Sequence, residues 1–145
     1  MGLALKQAHK SLKIDEVPVG AVIVSKEGQI LSFGYNQVEK RKSQLAHAES
    51  LAISRATKKI KDWRLTGASI YITLEPCAMC LGLIFLSRIE NVFYGAKSPL
   101  FGANIDLDNL PDIYKKHIKV IEGGVCQSQA AEILKNFFKK KRSKT

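Results

Sequence analysis

Residues 69–80 read Ser-Ile-Tyr-Ile-Thr-Leu-Glu-Pro-Cys-Ala-Met-Cys, and the change of period inside this stretch decides the fold. Ile70, Ile72 and Leu74 alternate with Ser69, Tyr71 and Thr73, the two-residue repeat of a strand with two unlike faces. At Pro76 the repeat stops. A proline's fixed φ and missing N–H suit the first turn of a helix, and the apolar run behind it predicts a helix to about Ser87. A strand that passes directly into a helix is half of a β-α-β unit, and Asn91–Ala96 supplies the next strand.

The rest of the chain fits around this unit. Val19–Val24 is a valine-rich apolar run, read as a buried strand. Glu27-Gly28 signals a turn, and Leu31, Phe33 and Tyr35 alternate with smaller residues, so the two strands form a hairpin. Leu5, Ala8, His9 and Leu12 share one helical stripe near residues 3–13. Ala48, Leu51, Ala52, Arg55 and Ala56 mark a second helix, with Arg55 at the edge of its stripe. Lys119–Glu122 reads as a fifth strand, ended by Gly123-Gly124. A last helix from 128 to about 140 carries Ala130, Ile133, Leu134, Phe137 and Phe138 on its apolar side. A hairpin followed by strand–helix alternation predicts a three-layer α/β/α sandwich around a mixed five-stranded sheet.

The chain has 145 residues, 46% apolar and 25% charged, which predicts one globular domain over 1–145 and excludes fibrous and disordered classes. Its apolar runs are too short to span a bilayer, and residues 1–13 lack the layout of a secretory signal. Three cysteines, two of them three residues apart, argue against a disulfide framework. They favour a reducing compartment, the cytoplasm. Lys and Arg number 23 against 13 Asp and Glu, a net charge of +10. Half of that excess lies in a basic C-terminal tail, residues 139–145, and Lys40-Arg41-Lys42 forms another cluster. A polyanion partner accounts for such a surface through counterion release, and simple solvation is the alternative.

Two short segments carry chemistry: His47-Ala48-Glu49, opening the second helix, and Glu75-Pro76-Cys77-Ala78-Met79-Cys80, where the third strand turns into the third helix. Cysteines at i and i+3 in a first turn face one side, and a helix N-terminus favours thiolates. Two thiolates and one imidazole give zinc three ligands and leave one position open, which is the catalytic pattern. Glu49 is poorly placed as a fourth ligand but well placed to handle protons beside the open position. A redox Cys-x-x-Cys, or a closed structural zinc site completed by His117 or Cys126, are the competing readings of the same residues. Asn36 reads as a turn residue closing the second strand. Phe137 and Phe138 both lie on the apolar stripe of the last helix, so at least one reads as a core residue.

Taken together, His-x-Glu and Pro-Cys-x-x-Cys resemble the signature of the zinc-dependent nucleoside and nucleobase deaminases. Glu16–Val24, Gly34-Tyr35-Asn36, Ala46–Glu49, Thr73–Cys80, Ser87-Arg88-Ile89, Phe93–Ala96 and Phe137-Phe138 with the basic run behind them are similar to the branch that edits tRNA adenosines. That resemblance covers nearly the whole chain and implies a cytidine deaminase-like fold with one Zn2+ per subunit on His47, Cys77 and Cys80. It implies hydrolysis at C6 of the wobble adenosine in a tRNA anticodon arm, giving inosine. Glu49 would carry protons from zinc-activated water to N1 and to the departing amino group. It further implies substrate contacts from Asn36, the Ala48 backbone, Phe137, Phe138 and Lys139, and a homodimer. Ser98 stands where the family often has an acid, shortly after Gly95-Ala96. A deaminase of free guanine or cytosine would share the zinc site but leave the basic tail unexplained.

Overall fold

The computed structural model describes residues 1–104 and 106–145. In chain order these form α1 (Gly2–Lys13), β1 (Gly20–Val24), β2 (Ile30–Tyr35), α2 (Val38–Arg41), a 3-10 turn (Gln44–Ala46), α3 (Ala48–Ile60), β3 (Ser69–Leu74), α4 (Ala78–Leu86), β4 (Asn91–Ala96), α5 (Asp112–Lys115), β5 (Val120–Glu122) and α6 (Gln127–Ser143). The five strands lie in the order β2-β1-β3-β4-β5. β1 runs antiparallel to both β2 and β3, whereas β3, β4 and β5 are parallel. The expected mixed sheet between two helical layers is the observed architecture. It has the cytidine deaminase-like arrangement.

One face carries the larger core. Ile23, Ile70, Ile72 and Val92 pack under Ala52 and Ile53 of α3 and Leu81 and Ile84 of α4. Each fully buried aliphatic side chain of this kind contributes about 1.5–3 kcal/mol relative to exposure. α1 and α6 cover the opposite face, where Gly20 abuts the α1 backbone at Ala4 and Ala8, and Gly95 abuts Ala130.

Those close approaches correct two readings from periodicity. The buried side of α1 is Ala4, Gln7, Ala8 and Ser11 rather than the Leu5–Leu12 stripe, because Gly20 lies directly against the helix backbone at Ala4 and Ala8 and against the Gln7 Cβ. In β2 the small residues face the larger core: Ser32 and Gly34 are buried while Phe33 points outward. The Ser32 hydroxyl donates to the Ala52 carbonyl (2.6 Å). A Cβ on Gly34 would collide with the Ala48 carbonyl and the Ala52 nitrogen. α3 therefore rests on bare backbone, and this contact sets where its N-terminus lies. Both obstacles are main-chain atoms, so Gly34→Ala forces the helix to move. It is expected to cost about 3 kcal/mol, the upper end for an inserted methyl. Thermal unfolding followed by circular dichroism should show a midpoint lower by roughly 10 °C. An unchanged midpoint would mean that α3 is not seated on this strand.

Two boundaries also shift. α4 begins at Ala78, not Pro76, because Cys77 is extended and pairs with Gly102 in an isolated bridge. α6 continues to Ser143, so most of the basic tail is helical. Lysines are good helix formers and are favoured at a helix C-terminus, and Lys141 Nζ is 2.6 Å from Asp15 Oδ2.

Candidate active site

The strand directions bring β2, β3 and β4 to one edge of the sheet by their carboxyl ends. The N-termini of α3 and α4 open there, side by side on the same face. His47 is the extended N-cap of α3, and its carbonyl accepts the Leu51 N–H. Cys77 is the extended N-cap of α4, and Cys80 lies in that helix's first turn. His47 Nδ1 is 3.4 Å from Cys80 Sγ and 3.8 Å from Cys77 Sγ. All three donor atoms lie within 4.8 Å of one another.

Among the described residues, no other group of three His, Cys, Asp or Glu donors converges in this way. Among the described residues, none adds a fourth donor to this mutually close group. His117 packs against the Phe85 ring (centroids 5.7 Å apart), and Cys126 caps α6 in the left-handed conformation.

The electrostatics follow from this convergence. A hydrogen bond from Cys80, reinforced by His47, holds the Cys77 thiol down at about 3. The same bond, together with burial, pushes Cys80 up. The site thus holds a thiolate beside an imidazole whose own proton affinity is raised by its hydrogen bond to Cys77. Glu49 occupies the first turn of α3 at 4% exposure, outside the set of mutually close donors. Burial raises its pKa, opposed in part by a backbone hydrogen bond and by the His47 charge.

Two polar residues at this site have roles that the sequence does not assign. Gln44 Oε1 lies 3.1 Å from His47 Nε2. Glu75 is buried, and its Oε1 accepts the Ser98 N–H (3.2 Å), while the Ala103 N–H binds the Pro76 carbonyl (3.0 Å). These bonds fasten the loop after β4 to the turn that presents Cys77. Ser98 enters the network through its backbone. An acid between a strand and a proline was the available signal for Glu75. Gln44 lies outside any periodic pattern.

The expected substrate-contacting residues are placed unevenly. Ala48 is fully buried at the first turn of α3, where backbone N–H groups lack intrahelical acceptors. Asn36 is buried at the end of β2. Its Nδ2 donates to the Val17 carbonyl (3.1 Å) and its Oδ1 accepts the Val38 N–H (3.4 Å). One amide hydrogen and one lone pair remain beyond these bonds. Phe137 is only 8% exposed and meets Phe138 edge-on, with ring centroids 5.2 Å apart. This burial fits the core-packing reading of Phe137. Phe138 is 43% exposed, and Lys139 is exposed beside it.

The basic segments meet near this edge. Glu16 Oε1 accepts the Lys40 N–H (2.7 Å), and the neighbouring Asp15 pairs with Lys141. The Lys40–Lys42 run and the end of α6 therefore flank residues 15–16, next to where β2 ends.

The profile of the MafB19-like deaminase family matches residues 1–142. A tRNA-specific adenosine deaminase of Bacillus subtilis (strain 168) is 40% identical over 142 residues, covering 97% of this chain and 88% of that protein. A solved structure from work on A-to-I editing by tRNA:A34 deaminases at the wobble position of transfer RNA superposes with a TM-score of 0.81. It is 36% identical and covers 92% of this chain and 97% of that one. A guanine deaminase from Nitrosomonas europaea has a TM-score of 0.80 at 22% identity, covering 94% and 81%, a likeness of fold alone.

Proposed function

The chain belongs to the MafB19-like deaminase family, and from that membership we propose that it hydrolyses the wobble adenosine of tRNA anticodon loops to inosine. The observation that carries this reading is the His47–Cys77–Cys80 cluster with Glu49 buried beside it, on an edge flanked by two basic segments. The relatives named for tRNA adenosine deamination support the substrate.

Two sulfurs and an imidazole nitrogen within 4.8 Å, at helix N-termini that favour thiolates, fit a zinc ion. Held there by His47, Cys77 and Cys80, zinc would supply a Lewis acid and lower the pKa of a bound water to about 7. Glu49 would take one proton from the attacking water and deliver it to N1 of adenine. It would then take the second from the new C6 hydroxyl and pass it to the amino nitrogen, so that ammonia leaves as the C6–N bond breaks and the C6 carbonyl forms. Glu49 suits this role because it lies outside the ligand set and its burial favours the proton-holding form. Asn36 offers its remaining amide hydrogen and lone pair to the purine edge, and the Ala48 backbone lies at the same helix start. Phe138 and Lys139, with the rest of the basic α6 end, face the anticodon arm. A loop base is already partly unstacked, which lowers the cost of extracting it. The reading is tested by moving the adenosine one nucleotide within a stem-loop. Inosine should form at the first anticodon position and not at its neighbour.

The same reading includes a homodimer in the cytoplasm. No helix among the described residues is long and apolar enough to cross a membrane. Yet α4 is apolar all round, with Met79 42% and Leu86 60% exposed, and helices of that composition are normally covered on every side. Phe101, beside the bridge to Cys77, is bare as well. Sedimentation equilibrium at micromolar concentration should give a dimer, and Leu86→Glu should give a monomer. A monomeric parent protein would contradict this assembly.

A further inference from the structure

His47 has two ring nitrogens, and the structure gives each a different neighbour. Nδ1 faces the two sulfurs, at 3.4 and 3.8 Å. Nε2 faces Gln44 Oε1, at 3.1 Å. A neutral imidazole has one N–H, so a ring that ligates through Nδ1 must carry its hydrogen on Nε2, and the atom opposite must accept it. A carbonyl oxygen does so.

Gln44 is also held at a defined offset from the histidine. It opens the 3-10 turn, whose Leu45 N–H is bound by Ser43 Oγ (3.2 Å) and whose Ala46 carbonyl accepts the Gln37 N–H (3.0 Å). Ser50 Oγ ties the far side of the turn, donating to the Leu45 and His47 carbonyls. The turn is thus fastened on both sides of His47, and the Gln44 side chain reaches back from a fixed base.

We propose that Gln44 is a positioning residue for His47: its carbonyl oxygen holds Nε2–H and so fixes both the ring's tautomer and its rotation, with Nδ1 turned toward the two cysteines. The proposal rests on the zinc reading given above. Partners of this kind commonly change metal affinity 10- to 100-fold. Gln44 is exposed, so water replaces part of what is lost and the lower end applies.

The test measures zinc affinity by competition with a chromophoric chelator for the parent protein, Gln44→Ala and Gln44→Glu. Proton–nitrogen NMR of the zinc-loaded proteins follows the His47 Nε2–H in parallel. Gln44→Ala should bind zinc about tenfold more weakly and lose the protected Nε2–H resonance. Gln44→Glu, which keeps an acceptor oxygen, should retain both. Equal affinity in parent and Gln44→Ala would overturn the proposal. So would an equal loss in the Ala and Glu variants, because that would mark a role in the turn rather than in the hydrogen bond. Failure of the zinc reading looks different: the parent protein binds no zinc, or His47→Ala binds it as well as the parent, and the proposal falls with it.

Discussion

Replacing Glu49 with alanine is expected to lower inosine formation on an anticodon stem-loop by about 10²- to 10⁴-fold, the usual contribution of a positioned proton carrier. The zinc content should stay at that of the parent protein. The two halves of this expectation have separate causes. Glu49 lies outside the group of converging donors, so its removal leaves His47, Cys77 and Cys80 in place. It is nevertheless buried in the first turn of α3, two residues from His47, where its carboxyl interacts with His47 and both cysteines. Folding should survive the change, since burial already disfavours the charged carboxylate. Glu49→Gln, which keeps the shape and removes the acid, should lose as much activity. Metal analysis alongside the rate decides the role. A variant that loses its zinc together with its activity would make Glu49 a ligand.

The second large effect concerns the basic end of α6. Changing Lys139, Lys140, Arg142 and Lys144 to glutamine is expected to weaken stem-loop binding about 10- to 100-fold at low salt. It should also flatten the log–log dependence of affinity on salt by about two to three units. Glutamine forms helices nearly as well as lysine, so α6 should persist. Lys141 is spared because it pairs with Asp15 and holds the helix end beside the Lys40 segment. The change therefore removes charge without releasing the element. Binding measured at two salt concentrations distinguishes the outcomes, and equal affinity at both would make this end a solvated surface with no part in RNA recognition.

Much of the fold was legible because strand and helix periods are read from side chains. The switch at Pro76, the Val19–Tyr35 hairpin and the final helix all declared themselves that way. What escaped were features governed by backbone contact. Gly20 and Gly34 let α1 and α3 rest directly on the sheet, which selects alanines and serines over the larger residues that a hydrophobic stripe emphasises. The short α2 and the 3-10 turn before His47 were invisible for a related reason, since segments of four and three residues are too short to express a period. At the site, the Cys-x-x-Cys spacing and the His-x-Glu pair named residues that the fold brings within a few ångströms across a separation of thirty positions. Gln44 and Glu75 orient others; Glu75 is marked only by its place between a strand and a proline, and Gln44 lies outside any pattern. Phe137 and Phe138 looked alike in sequence, and the helix turned one inward and the other outward.

On this account the zinc chemistry serves an RNA-borne adenosine. Its most direct test is nuclease digestion and mass spectrometry of an anticodon stem-loop with adenosine at the wobble position, after incubation with zinc-loaded protein. Free adenosine, guanine and cytidine are run beside it. Inosine confined to the stem-loop, with the free compounds untouched, is the result predicted here. Turnover of a free base or nucleoside with the RNA unchanged would contradict it, moving the chain to a nucleobase deaminase and leaving its basic surface without a catalytic role.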